Sequence, residues 1–220
     1  MIFADCRLLK NQSQTCNELN FPIQYPRNKL LSMLSDHDIK QALATGRLII
    51  KPEIPDNAVQ PASIDIHLGN TFWVFPKSTE VFDPFNPITD DAAKREPIIA
   101  ETFDINPDQF VLATTSEYVK LNETLAARIE GKSSLGRLGL FVHITAGFID
   151  PGFGGNITLE LLNVSGRPLR LHAGMKIAQL SLQELSSPAE RPYGHPDLGS
   201  KYQGQTVATA SLYHLNKSQV

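Results

Sequence analysis

Residues 156–164 read NITLELLNV, and along them the side chains alternate. Ile157, Leu159 and Leu161 fall on one face while Thr158 and Glu160 fall on the other, the period-two pattern of a strand with one packed face. Working outward, RLIIKP (47–52), SIDIHLG (63–69), TFWVF (71–75), QFVLATT (109–115), ARIEG (127–131), LFVHIT (140–145), LRLHAG (169–174) and KIAQLSLQEL (176–185) are further short runs rich in Ile, Leu, Val, Phe and Thr. Clusters of Pro, Gly, Asn and Asp separate them. Many short strands at close spacing, with almost no helical period, predict an all-β barrel or sandwich. A helix signature stands at LSDHDIKQALATG (34–46), where Ser35 is an N-cap with Asp38 three residues on, Ile39 and Leu43 form an apolar stripe, and Gly46 suits the C-terminus.

The 220 residues suffice for one domain with a sizeable core and appendages. A formal net charge of -3 gives no reason to expect nucleic acid as the main partner, so any phosphate binding must be local. The two cysteines, Cys6 and Cys16, cannot supply a disulfide framework and suggest a reducing compartment. No apolar run reaches the length of a membrane span and no secretory h-region opens the chain, so a cytoplasmic address is expected. Residues 1–32 lack a sustained period and read as a disordered extension or a misassigned start; the β domain is expected over 33–187. Residues 76–109 read as a Pro- and Asp-rich excursion with room for a hairpin, and 188–220 as a polar tail, either frayed or a lid over a ligand.

Within GKSSLGRLG (131–139), Lys132, Ser133, Ser134 and Arg137 stand among Gly131, Gly136 and Gly139. Such a segment is either a turn with solvated charges or an oligophosphate cradle in which glycines admit close approach, hydroxyls donate and Arg forks onto oxygens. The order of a Walker A loop is absent. Glu160 is either one solvated strand residue or a general base that takes a proton and later returns it. Asp150, in FIDPGFGG (148–155), marks a turn first, and otherwise a carboxylate near a pocket mouth for a sugar hydroxyl, a water or a metal ion. His143, in an apolar run, reads as a hydrogen-bonded core histidine, and no Cys/His cluster has zinc spacing.

These motifs resemble a known family. GKSSLGRLGLFVHITAGFIDPGFGGNITLELLNV (131–164), followed by GMKIAQL (174–180), RPYG (191–194) and GSKYQGQ (199–205), is similar to dCTP deaminase of the trimeric dUTPase superfamily, and the likeness runs from about Met33 to Gln205. The resemblance implies a distorted β-barrel or jelly roll of the dUTPase-like type with a short N-terminal helix, assembled as a homotrimer with sites at subunit interfaces. By position it assigns Lys132, Ser133, Ser134, Leu135, Gly136 and Arg137 to the triphosphate, with Lys201 and Gln205 closing over it. Asp150 and Tyr193 match nucleotide contacts, Thr158 and Leu159 face the pyrimidine, and Glu160 matches the catalytic glutamate. The resemblance further implies that magnesium accompanies the triphosphate and that no zinc is used. TAGF (145–148), with Gly147 and Phe148, and Gln179 match the bifunctional subgroup that carries dCTP past dUTP to dUMP, whereas single-function members hold a bulkier residue at the Gly147 position. The expected ligands are therefore dCTP and dUTP, with dTTP a candidate inhibitor. One departure is the tail after Gln205, TVATASLYHLNK, where that subgroup carries a Gly-Pro-Thr-Pro-Ser-Arg-like stretch. A plain dUTPase, a catalytically silent nucleotide binder and a structural jelly roll are the competing readings.

Overall fold

The computed structural model describes residues 32–75, 78–79, 81–86 and 96–219. The readings made for residues 1–31, both cysteines included, lie outside the described residues. Helix α1 spans Asp36–Ala44, and the Ser35 hydroxyl accepts from the Asp38 N–H, as the capping pattern predicts. Ile39 and Ala42 are its fully buried residues. Gly46 follows with φ 72°, a conformation open to glycine.

Twelve strands follow among the described residues. They are β1 (Leu48–Lys51), β2 (Val59–Gln60), β3 (Ser63–Val74), β4 (Ile98–Ile99), β5 (Thr102–Ile105), β6 (Phe110–Leu121), β7 (Leu125–Gly131), β8 (Leu140–Val142), β9 (Phe148–Ile149), β10 (Gly154–Asn163), β11 (Leu169–His172) and β12 (Lys176–Glu184). The main sheet runs β8-β10-β6-β3-β12-β7-β9, with β1 also on β6 and β2 and β4 on β3. A second sheet pairs β11 with β5. This is the curled, mainly β architecture the sequence predicts. Ile64, Ile66, Leu68, Leu159, Leu161 and Leu180, all at 0% exposure, fill its interior, each coming from the apolar face of an alternating strand.

Two predicted strand boundaries differ. SIDIHLG and TFWVF form one twelve-residue strand, β3, rather than two. The Gly69-Asn70 pair that reads as a break is a close approach: a Cβ at Gly69 would stand 2.9 Å from Thr114 Oγ1 and 3.0 Å from the Thr114 carbonyl. The β3–β6 register shifts between Leu68 and Phe72, so the glycine marks an irregularity inside a strand. Strand β6 continues through SEYVKL to Leu121, because its exposed and buried positions alternate on past the run QFVLATT. In the excursion, β4 pairs with β3 and β5 with β11, so its described part makes no hairpin of its own.

Candidate active site

Strand β10 presents Thr158 and Glu160 outward while Ile157, Leu159 and Leu161 pack inward, which is the alternation of NITLELLNV realised. Glu160 is half-buried. Its Oε2 accepts from the Thr145 N–H and from the Thr145 hydroxyl, each at 3.1 Å. Strand β8 places Val142 opposite Leu161, so His143, one residue further on, reaches the Glu160 backbone. There the His143 Nδ1 accepts from the Glu160 N–H at 3.3 Å, which leaves the ring proton on Nε2. That Nε2 is buried and meets no acceptor among the described residues. His143 also holds φ at 55°, uncommon outside glycine. The core-histidine reading is thus corrected: the ring lines the cavity beside Glu160.

That cavity holds about 420 Å³ and is walled by Phe75, Phe110, Phe148, Phe153, Tyr193 and Tyr202, with Asp150, Thr158, Glu160 and Gln205 as polar groups. Aromatic walls with a few convergent polar groups suit a planar ligand that must be both stacked and oriented. A second cavity of about 690 Å³ shares Phe148, Asp150, Tyr193 and Tyr202 with the first and adds Arg191 and Lys201. The two are therefore lobes of one groove, aromatic with Glu160 at one end and carrying Arg191, Lys201 and Glu184 at the other. Asp150 stands on their common rim, where partial burial pushes its carboxyl above the ordinary value of 3.8.

The tail after Pro188 folds back over this groove. Gln205 donates through Nε2 to the Asn156 carbonyl at 3.0 Å and to the Thr158 hydroxyl at 2.9 Å, and its carbonyl accepts from the Asn156 N–H. The Tyr202 N–H donates to the Tyr193 hydroxyl, and the Leu212 N–H to the Tyr202 hydroxyl. Ala208, 2% exposed, packs on Trp73 and Leu112, so the stretch that departs from the subgroup pattern is also docked.

The expected phosphate segment lies elsewhere. Lys132 to Arg137 line neither lobe. Ser133–Gly136 form one helical turn, α2, anchored by a partly buried Leu135 packed on the core. Ser133, Ser134 and Arg137 are exposed and their side chains make no hydrogen bond or ion pair among the described residues, Gly136 has open space where a Cβ would stand, and Lys132 is bound to Asp65. Gln179, opposite Asp65 and Glu130 on β12, lines neither lobe, and Leu159 turns its side chain into the core. Gly147 sits under β7, its carbonyl accepting from the Ile129 N–H. One chain thus gathers Phe148, Asp150, Thr158, Glu160, Tyr193, Lys201 and Gln205, and holds Lys132 to Arg137 apart. Sequence reasoning missed Thr145 as the partner of Glu160, and the aromatic wall, because cross-strand neighbours leave no spacing signal.

A curled antiparallel sheet with a polar and aromatic groove between β10 and a folded-back tail defines a mainly β protein with a candidate ligand site. The same fold is seen in the crystal structure of 2'-deoxycytidine 5'-triphosphate deaminase from Agrobacterium tumefaciens, with a TM-score of 0.55 and 21% identity over 70% of this chain; the chain spans 48% of that one, about half its length. A family model described as dCTP deaminase-like matches residues 33–185. The protein named "dCTP deaminase, dUMP-forming" of Nocardia farcinica is 51% identical over 84% of this chain and 92% of its own length. The one of the same name from Methanosphaera stadtmanae is 46% identical over 80% of this chain and 91% of its own. The chain belongs to the dCTP deaminase-like family.

Proposed function

We propose that the protein deaminates dCTP at C4 of cytosine and carries the nucleotide on to dUMP. The observation that carries this reading is Glu160, a half-buried carboxylate gripped through one oxygen on the wall of an aromatic-lined cavity. The names of relatives about half identical over most of the chain support it.

Thr145 occupies Oε2 of Glu160, which leaves Oε1 free for proton transfer. In the proposed reaction Oε1 takes a proton from water as its oxygen bonds to C4, returns that proton to the ring nitrogen N3, and conveys the second water proton to the amino group. Ammonia leaves and the C4 carbonyl forms, with one water consumed. A carboxylate that cycles between base and acid can serve every transfer, because each passes through the same small volume. The His143 Nε2–H offers a spare donor on that wall. In the second step water attacks the α-phosphorus, the bond to the oxygen bridging the α- and β-phosphates breaks, and diphosphate departs, leaving dUMP; Asp150 on the shared rim would orient that water. Magnesium arriving with the triphosphate would lower its charge, and Asp150 and Glu184 are the carboxylates that line the second lobe.

Because Lys132, Ser133, Ser134 and Arg137 stand apart from the groove of their own chain, we assign the triphosphate end to a partner copy in a homotrimer, whose residues 132–137 meet Lys201 and Tyr193 of this one. The test is incubation with dCTP and magnesium, followed by chromatography of dCTP, dUTP and dUMP. The native chain is expected to accumulate dUMP without free dUTP, and Glu160→Gln to lose turnover by roughly 10²–10⁴-fold. Free dUTP as the end product would confine the activity to deamination, and undiminished turnover in the variant would remove Glu160 from the chemistry.

A further inference from the structure

Asp65 is an acid buried in a sheet, and the mechanism above does not use it. It is 3% exposed on β3, on the face opposite Ile64 and Ile66. A buried carboxylate is costly unless it is paired. Here both oxygens are paired: Oδ1 with the Lys132 ammonium at 2.5 Å and Oδ2 with the Lys176 ammonium at 2.8 Å. One acid therefore fixes two cations next to each other, and the cluster keeps one net positive charge. The lysines are not buried with it; their side chains are 23% and 49% exposed, and each ammonium keeps donors turned outward.

The register explains why this pair stands at the phosphate segment. Strands β12 and β7 are antiparallel with Ala178 opposite Gly131, so residues before Ala178 run alongside those after Gly131. That brings Lys176 beside the Lys132–Ser133 corner, on the flank of the exposed Ser133, Ser134 and Arg137. Lys176 lies within GMKIAQL and Asp65 within SIDIHLG, but no spacing links either to residues 132–137, because they meet only across strands.

We propose that Lys176 is a further contact for the nucleotide's triphosphate and that Asp65 is a positioning residue, setting Lys132 and Lys176 as a cation pair beside Ser133, Ser134 and Arg137. The proposal rests on the reading that residues 132–137 hold the triphosphate. An oligophosphate carries several negative charges along its length, and two ammonium groups a few ångströms apart match it better than either alone. Their tether removes the entropy of ordering two long side chains at the moment of binding.

The test compares Lys176→Met, Asp65→Asn, Lys132→Met and Arg137→Ala in the full chain, measuring kcat and KM for dCTP and the inhibition constant of deoxycytidine, which has no phosphate. Lys176→Met is expected to raise KM for dCTP roughly tenfold at nearly constant kcat, the scale of one charged hydrogen bond, and to leave deoxycytidine inhibition unchanged. Asp65→Asn is expected to show the same split. If that variant fails to fold, Lys176→Met, at a half-exposed side chain, still decides the matter. Unchanged KM in Lys176→Met while Lys132→Met and Arg137→Ala raise it would overturn the inference and spare the reading beneath it. Unchanged KM in Lys132→Met and Arg137→Ala would overturn that reading itself. Parallel loss of dCTP and deoxycytidine affinity in Lys176→Met would reduce the cluster to a structural role and overturn the inference.

Discussion

At the scale of single residues, the site is decided by which oxygen or nitrogen has a partner. Thr145 is the case in point, since its backbone and its hydroxyl both donate to one oxygen of Glu160 and so fix where the other points. Thr145→Val keeps the backbone donor and the shape but removes the hydroxyl. Turnover of dCTP is expected to fall about tenfold with little change in KM, the scale of one hydrogen bond lost at a group that works in the transition state; steady-state kinetics with dCTP checks it, and a KM effect without a kcat effect would mean that Thr145 binds substrate instead. Asp65 gives a pH signature. Burial drives its pKa up, but the hydrogen bonds and charges of Lys132 and Lys176 outweigh that and hold it below 3.8 in the folded chain. A group with a depressed folded pKa stabilises the fold above its unfolded value and loses that contribution as the pH falls towards the folded one. Melting curves between pH 6 and 3 are therefore expected to steepen below about pH 4 for the native chain and to be flatter there for Asp65→Asn.

At the scale of elements, the loop between β8 and β9 couples the site to the sheet. The Gly147 carbonyl accepts from the Ile129 N–H of β7, and a Cβ on Gly147 would stand 3.0 Å from the Ile129 carbonyl, so any larger residue must push the loop that carries Thr145 and His143. Gly147→Ala is expected to cost about 1–3 kcal/mol in urea unfolding and to slow dCTP consumption by displacing Thr145 from Glu160. Native stability and kinetics in the variant would show that the loop accommodates the methyl without moving. The sequence displays much of this level because strands declare themselves by alternation: NITLELLNV reads correctly as one buried face and one presenting Thr158 and Glu160, and the Ser35 cap is equally local. Pairing is the level at which reading fails. Gly69 resembles a turn but is a close approach to Thr114, and His143 resembles core because LFVHIT is apolar, although the strand ends at Val142 and turns the ring to the cavity. Whether a glycine bends or a histidine packs depends on what lies across the sheet, and a linear pattern does not hold that information.

At the scale of the whole molecule, the division of the expected site is the main fact. The groove with Glu160 and the corner with Arg137 are each well formed, yet one chain does not bring them together. Motif order in the sequence runs from Lys132 to Glu160 as one continuous signature, and two copies supplying the two halves, as proposed, would reconcile that order with their separation in one chain. If a homotrimer completes each site, with Glu160 from one protomer and Arg137 from its neighbour, then two inactive variants can restore each other. Glu160→Gln and Arg137→Ala are expected to be nearly inactive as separate homotrimers. Dissociated together in equal amounts and reassembled, they place a native Glu160 beside a native Arg137 in about a quarter of sites, since each position in a cyclic trimer is filled independently. Turnover near a quarter of the native rate, appearing only after joint reassembly and not on simple mixing of the intact oligomers, is the result expected from a shared site. Activity that stays at the sum of the two variants, with mixed trimers demonstrated by mass, would require both residues to act within one chain, and the helical turn at Ser133–Gly136 would then have to move across its own sheet to reach the groove.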